Sequence, residues 1–393
     1  MIRISWVVMV LVLVITKVSS LTLQDSIQAT IKSNPRILAE QKNQDAFKRY
    51  VDEERGDYFP TIDLESYYES SHKYNSPDNF SKTDSHKNGW NKQLKLEQIL
   101  YDGGLTQSEV SEFRYKQDEN KHRSNLVIED VILSATNSYL DMVEYNELLK
   151  LSKTMITVQD KNLLTAKEQE EITGEKLEVF QVLSKLHFTS EKLLEQEDLE
   201  FHAKRDFKRF TGIKPDGRIC RPIINEKLIP MSLEKIVELS VRRHYSIREQ
   251  IEKIKVQREN LVQANSKFLP TILFQLEGEW DDDLRLEENG KYKTHRAKFF
   301  MKWNLYKGGK DSVTSEREVL FLQEAKKTLD AITDEIVNKV TKEYNSFYKN
   351  KKRVEFLKLY LNDNMNILEV YRKEFSAGTR TFVDILSAET EVY

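Results

Sequence analysis

The chain has one cysteine, seven prolines and twelve glycines in 393 residues. With Cys220 alone, no disulfide can staple the fold and no thiolate cluster can hold a metal. So few breakers leave long stretches with nothing to end a helix. The net charge is only −3, which gives no electrostatic basis for a nucleic-acid partner. The seven histidines include no pair at metal-binding helical spacing, and neither a phosphate-cradling glycine loop nor a serine nucleophile elbow occurs. The sequence therefore predicts no catalytic residue, no metal ligand, no cofactor and no enzyme. Beyond residue 20 there is also no apolar run of membrane-helix length. A mature chain that enters a membrane must do so as strands.

What is present begins with an export signal over residues 1–20. Arg3 supplies the positive start, Trp6 to Ile15 is unbroken apolar sequence, and Val18-Ser19-Ser20 offers small residues for cleavage. Hydrophobic residues make up 39% against 32% charged, thin for a large globular core. Long helices that share narrow apolar seams fit that balance better.

The chain then repeats itself. Leu23, Ile37 and Pro60 meet Leu233, Ile247 and Pro270 at a separation of 210. Tyr101, Gly103 and Gly104 meet Tyr306, Gly308 and Gly309 at 205, and Gly174 meets Gly378 at 204. Two copies of this size imply duplication of a whole structural unit. The first covers residues 21–212 with a tip near 174, the second 231–393 with a tip near 378, and 213–230 link them. About 25 residues of return helix in the first copy have no counterpart in the second, which reads as incomplete at its C-terminus.

Each copy carries two alternating segments, predicted as strand pairs at about 61–70 and 90–101, and at about 271–280 and 295–306. Ala297, Phe299, Met301, Trp303 and Leu305 form an apolar row against Lys298, Phe300, Lys302 and Asn304. Ile272, Phe274, Leu276 and Trp280 do the same in the partner segment. The lengths suit tilted transmembrane strands of 9 to 11 residues, and Trp90, Tyr101, Trp280 and Tyr306 sit where interfacial aromatic girdles belong. Pro60 and Pro270 suit strand starts, where a missing amide hydrogen costs least. The pairs Gly103-Gly104 and Gly308-Gly309 permit the turn back into helix. Four strands cannot close a barrel, and an open edge does not survive in lipid. Two copies would give eight strands and three would give twelve. The Asp281-Asp282-Asp283 run reads as an exposed loop rather than a cation site.

Between Gly309 and Gly378 there is no proline, so a continuous helix there reaches about 100 Å. Its apolar seam, from Leu322 through Ile336, Tyr344, Leu357 and Leu368 to Phe375, recurs about every 3.5 residues, the spacing of a coiled coil. Phe321, Val337, Tyr348, Phe356, Tyr360 and Ile367 widen it enough to touch two neighbours. Leu105 to Ile172 repeats the arrangement.

The order of helix, strand pair and long helical hairpin, given twice, resembles the TolC-like outer membrane efflux protein family across residues 21–393. "GTRTFVDIL" at Gly378 to Leu386 is similar to that family's second hairpin tip, supported by Asn34-Pro35 and "LYDGG". The resemblance implies a mainly α fold with a small β part. Long antiparallel helical hairpins would form an α-barrel, and four strands per chain would join a shared transmembrane β-barrel in a homotrimer. It further implies a cell outer membrane location in contact with outer membrane lipid, with a long periplasmic extension. The expected partners are a periplasmic adaptor protein and an inner-membrane transporter. On the same resemblance Asp384 lies at the pore constriction, with Ser387 at a second position that is acidic in some members, so one acidic ring is expected. Gly174, Gly378, Thr379 and Arg380 belong to the tips. Arg380 is expected to hold the tip shut by pairing with a first-hairpin acid and a nearby tyrosine. This chain has Phe180 or Gln181 at the acid's position and Phe375 at the tyrosine's, with Glu178 as the nearest replacement. The function so implied is the exit duct of an efflux or type I secretion system. The alternative is an exported coiled-coil structural or adaptor protein whose strands form a soluble sheet.

Overall fold

The computed structural model describes residues 21–75, 83–215, 219–223, 225–230, 232–282 and 290–392. The predicted signal, Asp283 and Tyr393 lie outside the described residues. Both copies follow one order. The first runs α1 (Leu23–Ser33), α2 (Pro35–Glu54), β1 (Thr61–Asn75), β2 (Thr83–Tyr101), α3 (Leu105–Thr173) and α4 (Leu177–Thr211). The second runs α5 (Leu233–Arg243), α6 (Tyr245–Ser266), β3 (Thr271–Asp282), β4 (Lys291–Lys302), α7 (Lys310–Ser376) and α8 (Phe382–Val392). The mainly helical class with a small antiparallel sheet is the one expected.

The matching helix breaks have matching chemistry. Thr22 and Asp25 form a capping box that starts α1. Between α1 and α2, Asn34 Oδ1 accepts from the Arg36 amide at 3.0 Å. Between α5 and α6, His244 Nδ1 accepts from the Ser246 amide at 3.2 Å. Each side chain replaces a helical bond where the chain bends, so the copies share a device without sharing a residue.

The chain divides into two compact units. One comprises residues 21–39, 127–233 and 341–392 of those described. In it Tyr139, Met142, Val143, Ala203 and Phe207 pack with Leu21, Leu23, Ile213 and Ile219. Burying each of the larger side chains contributes about 1.5–3 kcal/mol. The buried Tyr139 hydroxyl reaches the Leu21 carbonyl at 2.9 Å and the Cys220 carbonyl at 2.6 Å. Leu21 also bridges Ile219 in parallel fashion, so the start of α1 is tied to the segment between the copies. A second cluster surrounds the hairpin tips, with Ala166, Val182, Leu368, Phe382, Ile385 and Leu386 at its centre.

The other unit comprises residues 40–126 and 234–340 and contains the sheet. Its four strands lie in the order β1-β2-β3-β4, all antiparallel. The central β2–β3 pair joins the two copies. Among the described residues, neither β1 nor β4 has a partner on its outer side.

The strand limits differ from those read in the sequence. β2 begins at Thr83 because its polar first third is paired with the far end of β1, Asn75 opposite Thr83 and Glu69 opposite Gly89. β4 spans Lys291–Lys302, about four residues earlier than the alternation implied. The ladder stops where Lys302 faces Thr271, since the next position on β3's side is Pro270, which has no amide hydrogen to give. Trp303 and Leu305 therefore lie beyond the strand, and Trp303 Nε1 donates instead to the Phe268 carbonyl at 3.0 Å. Asp281 and Asp282 end β3 rather than forming a loop, and Asp282 meets Lys291 at 3.4 Å.

Candidate channel wall and hairpin tips

The register of the sheet sorts its side chains onto two unlike faces. On one, successive cross-strand rows read Ile62–Leu96–Leu276–Ala297, then Leu64–Leu94–Gly278–His295, with Phe274 against Phe299 at a ring separation of 4.9 Å. These side chains have no covering layer: Leu64 is 73% exposed and Phe299 75%. The other face carries Asp63, Lys95, Glu277 and Arg296 in one row and Glu65, Gln93, Glu279 and Thr294 in the next. Glu277 accepts from Gln93 at 2.7 Å, Lys298 at 2.9 Å and Arg296 at 3.1 Å. Arg296 also reaches Glu279 at 3.3 Å. An uncovered apolar face backed by a charged one is the pattern of a barrel wall between lipid and water.

Pro60 and Pro270 each stand immediately before a strand, at β1 and β3. Gly103 and Gly104 turn the chain from β2 into α3, and Gly308 and Gly309 occupy the matching turn before α7. At Gly103, φ is 74° and an added Cβ would lie 2.9 Å from both Leu269 Cβ and the Ser266 carbonyl. Any other residue there would push on α6's end. Asp102 fastens the first turn: its carboxylate accepts from the Gly104 amide at 3.0 Å, the Thr106 amide at 2.8 Å and the Thr106 hydroxyl at 2.6 Å.

At the tips, Gly174 and Gly378 both take positive φ, 77° and 75°, and end α3 and α7. Beyond Gly378, the amide and hydroxyl of Thr379 each donate to the Glu374 carbonyl at 3.0 Å. Thr381 starts α8, and Asp384 Oδ2 reaches back to its hydroxyl at 2.8 Å and its amide at 3.3 Å. Asp384 thus supplies the acidic half of a helix-starting box, a role carried by the T-x-x-D spacing. Asp384 and Ser387 lie three residues apart on the less buried face of α8, whereas Phe382, Ile385, Leu386 and Ala388 point into the tip cluster.

Arg380 is engaged within its own hairpin. Its Nε donates to Glu374 at 3.0 Å, its guanidinium stands 4.1 Å over the Tyr371 ring, and Asp384 lies 3.9 Å away. The expected replacement, Glu178, is not its partner. Glu178's carboxyl is instead raised by partial burial and by the neighbouring Glu175. The tyrosine comes from Tyr371, one turn before Phe375, and the Phe375 ring packs on Phe382 at 5.5 Å. Tyr371 sits one helical turn from the expected place, whereas Glu374 belongs to Arg380's own hairpin and not to the first, so position-by-position matching pointed to neither.

A further polar group escaped the sequence reading altogether. Glu389 of α8 is buried at the centre of the tip unit and accepts from Arg372 of α7 at 2.8 Å and from Asn162 of α3 at 2.7 Å. Its only sequence signal is an acid on the apolar side of α8.

Among the described residues no helix is long and apolar enough to cross a membrane. The model of the outer membrane efflux protein family matches residues 237–393. The fold of nearly the whole chain agrees: 94% of it superposes on 89% of the outer membrane protein VceC of Vibrio cholerae, with a TM-score of 0.80 and 13% identity. The second copy is thus similar to the outer membrane efflux protein family. The CmeC outer membrane channel of Campylobacter jejuni has the same fold, with a TM-score of 0.74 and 15% identity over 94% of this chain and 80% of that one. In sequence, the alkaline protease secretion protein AprF of Pseudomonas aeruginosa is 20% identical over 313 residues, 76% of this chain. This chain spans 63% of that relative's length.

Proposed function

We propose that this chain is a passive outer membrane exit duct, assembled as a homotrimer whose twelve strands close one barrel and whose helical hairpins continue it as a hollow periplasmic tube. The observation that carries the reading is the sheet itself: two edges unpaired among the described residues, one apolar uncovered face and one charged face. In lipid each open edge would leave unsatisfied backbone groups at several kcal/mol apiece. Joining β4 of one copy to β1 of the next satisfies both edges. The exposed apolar residues of α7, among them Phe356, Leu357, Tyr360 and Met365, favour burial between helices over exposure to water.

The duct opens when a periplasmic adaptor and an inner-membrane transporter engage the hairpin tips and shift α7 and α8. Asp384, Ser387, Gly174, Gly378, Thr379, Arg380 and Phe375 are the tip residues of this reading, with Asp384 lining the constriction. Three carboxylates brought together there would favour cations in the opening. The pump selects the cargo, and polypeptides and small molecules both remain compatible with a duct of this kind. The deciding measurement is the mass and conductance of the detergent-solubilised protein. Trimers that form pores in planar bilayers support the duct; a monomer in the soluble fraction leaves the exported coiled-coil protein as the better reading.

A further inference from the structure

The apolar face of the sheet changes character at the end farthest from the helices. Its next row reads Ser66–Lys92–Trp280–Lys293, and the last reads Tyr68–Trp90–Asp282–Lys291. Together these rows border an open cavity of ≈ 500 Å³. Its walls are two indoles held by neighbours: Trp90 packs on Tyr68 at 5.3 Å, and Trp280 on His295 at 5.9 Å. Gly278 makes room for the second, since a Cβ there would come within 3.0 Å of the Trp280 ring. Lys291 is taken up by Asp282 at 3.4 Å. Lys92 and Lys293 have no hydrogen-bonding or ion-pair partner among the described residues.

Two unpaired ammonium groups therefore flank one indole, on strands whose backbones are about 10 Å apart across the intervening β3. That span lets both lysines reach a single phosphate. From Ile272 to Trp280 the strand rises about 26 Å, which at the usual barrel tilt of about 40° covers about 20 Å of an apolar band about 25 Å tall. The lysine row thus falls where hydrocarbon gives way to headgroups, and Leu94, Leu276, Phe274 and Phe299 continue below it as a surface for acyl chains. Aromatic and basic side chains at such a boundary hold the amphiphile by complementary parts: ring and stem against the chain, charge against the headgroup.

We propose that Lys92, Lys293 and Trp280 form a binding site for the phosphate headgroup of an anionic lipid in the outer leaflet. This rests on the outer membrane reading above. The test is native mass spectrometry of the solubilised assembly with three probes: phosphatidic acid, phosphatidylcholine and inorganic phosphate. The wild type should retain phosphatidic acid over phosphatidylcholine, bind no inorganic phosphate, and lose the preference about tenfold in K92Q/K293Q. A wild type without that preference overturns the site, as does a preference unchanged in the double variant. Retention of inorganic phosphate to the same extent as lipid would make it a free-anion site instead. Membrane fractionation separates the two readings, because a protein found in the outer membrane fraction without lipid preference loses this site and keeps the duct.

Discussion

Glu389 and Asn162 are 227 residues apart in the chain and 2.7 Å apart in the tip unit. The bond ties α8, the short returning helix of the second hairpin, to α3 of the first. Glu389's side chain is only 3% exposed, whereas that of Arg372, its other partner, is 55% exposed. Removing the carboxylate therefore strands Asn162 more than Arg372, which water can satisfy. E389A should destabilise the docking of α8 by about 1–3 kcal/mol, the cost of a lost buried bond with an orphaned partner. Hydrogen exchange of the α8 amides checks this. Unchanged protection would mean that apolar packing alone holds the helix, and E389Q, which still accepts from Asn162, should fall between the two.

Asp384 performs two tasks that one substitution can separate. Its carboxylate closes the start of α8 on Thr381 and, in the duct reading, places a negative charge in the constriction. Asparagine can still accept at the helix start but carries no charge. D384N should thus weaken cation preference, seen as a reversal-potential shift in single-channel recordings, and leave the helical content as it is. D384A should lose both. Selectivity unaltered in D384N would take Asp384 out of the pore lining.

The helices were legible because so little interrupts them: with no proline between Gly309 and Gly378, α7 runs 67 residues. The repeat was legible because its turn residues, Gly103-Gly104 and Gly308-Gly309, keep their order. The end of β4 was not, because an apolar alternation continues through Trp303 and Leu305 although Pro270 stops the hydrogen-bond ladder opposite. Arg380's partners were hidden for a related reason. A helix brings residues four apart to one face, so Tyr371 serves where Phe375 was matched, and Glu374 comes from Arg380's own hairpin in place of a first-hairpin acid. Glu389 shows the remaining gap: its partner comes from another hairpin, and no local pattern announces it.

His122 gives the sheet-containing unit an acid sensitivity. It stacks on Tyr245 at 5.9 Å, its Nδ1 is buried without a hydrogen-bond partner, and burial pushes its pKa down. Glu252 and Asp118 act upward on it, Arg248 and Lys121 downward. Because the folded value is depressed, the unfolded chain takes up the proton first as pH falls below about 6.5. Stability is full above that pH and declines until the folded imidazole also protonates. Urea midpoints at pH 7.5 and 5.5 should differ more in the wild type than in H122F. An equal drop in both would assign the effect to other groups.

The two copies differ at the turn that starts their long helices, and this predicts unequal behaviour. Asp102 holds the first turn of α3 through Gly104 and Thr106, whereas the matching position before α7 is Lys307, which offers no acceptor side chain. Burial acts to raise the Asp102 pKa, but the bonds from Thr106 and Gly104 outweigh it and hold the carboxyl below its ordinary value. Its contribution is therefore complete above about pH 4 and vanishes as pH falls through the lower folded value. D102A should cost about 1–2 kcal/mol at neutral pH, the usual loss for a helix cap. Hydrogen exchange at residues 104–108 should quicken in the variant, while residues 309–313 stay as they were. Equal quickening at both turns would show that the glycine pair, rather than the carboxylate, sets the start of α3.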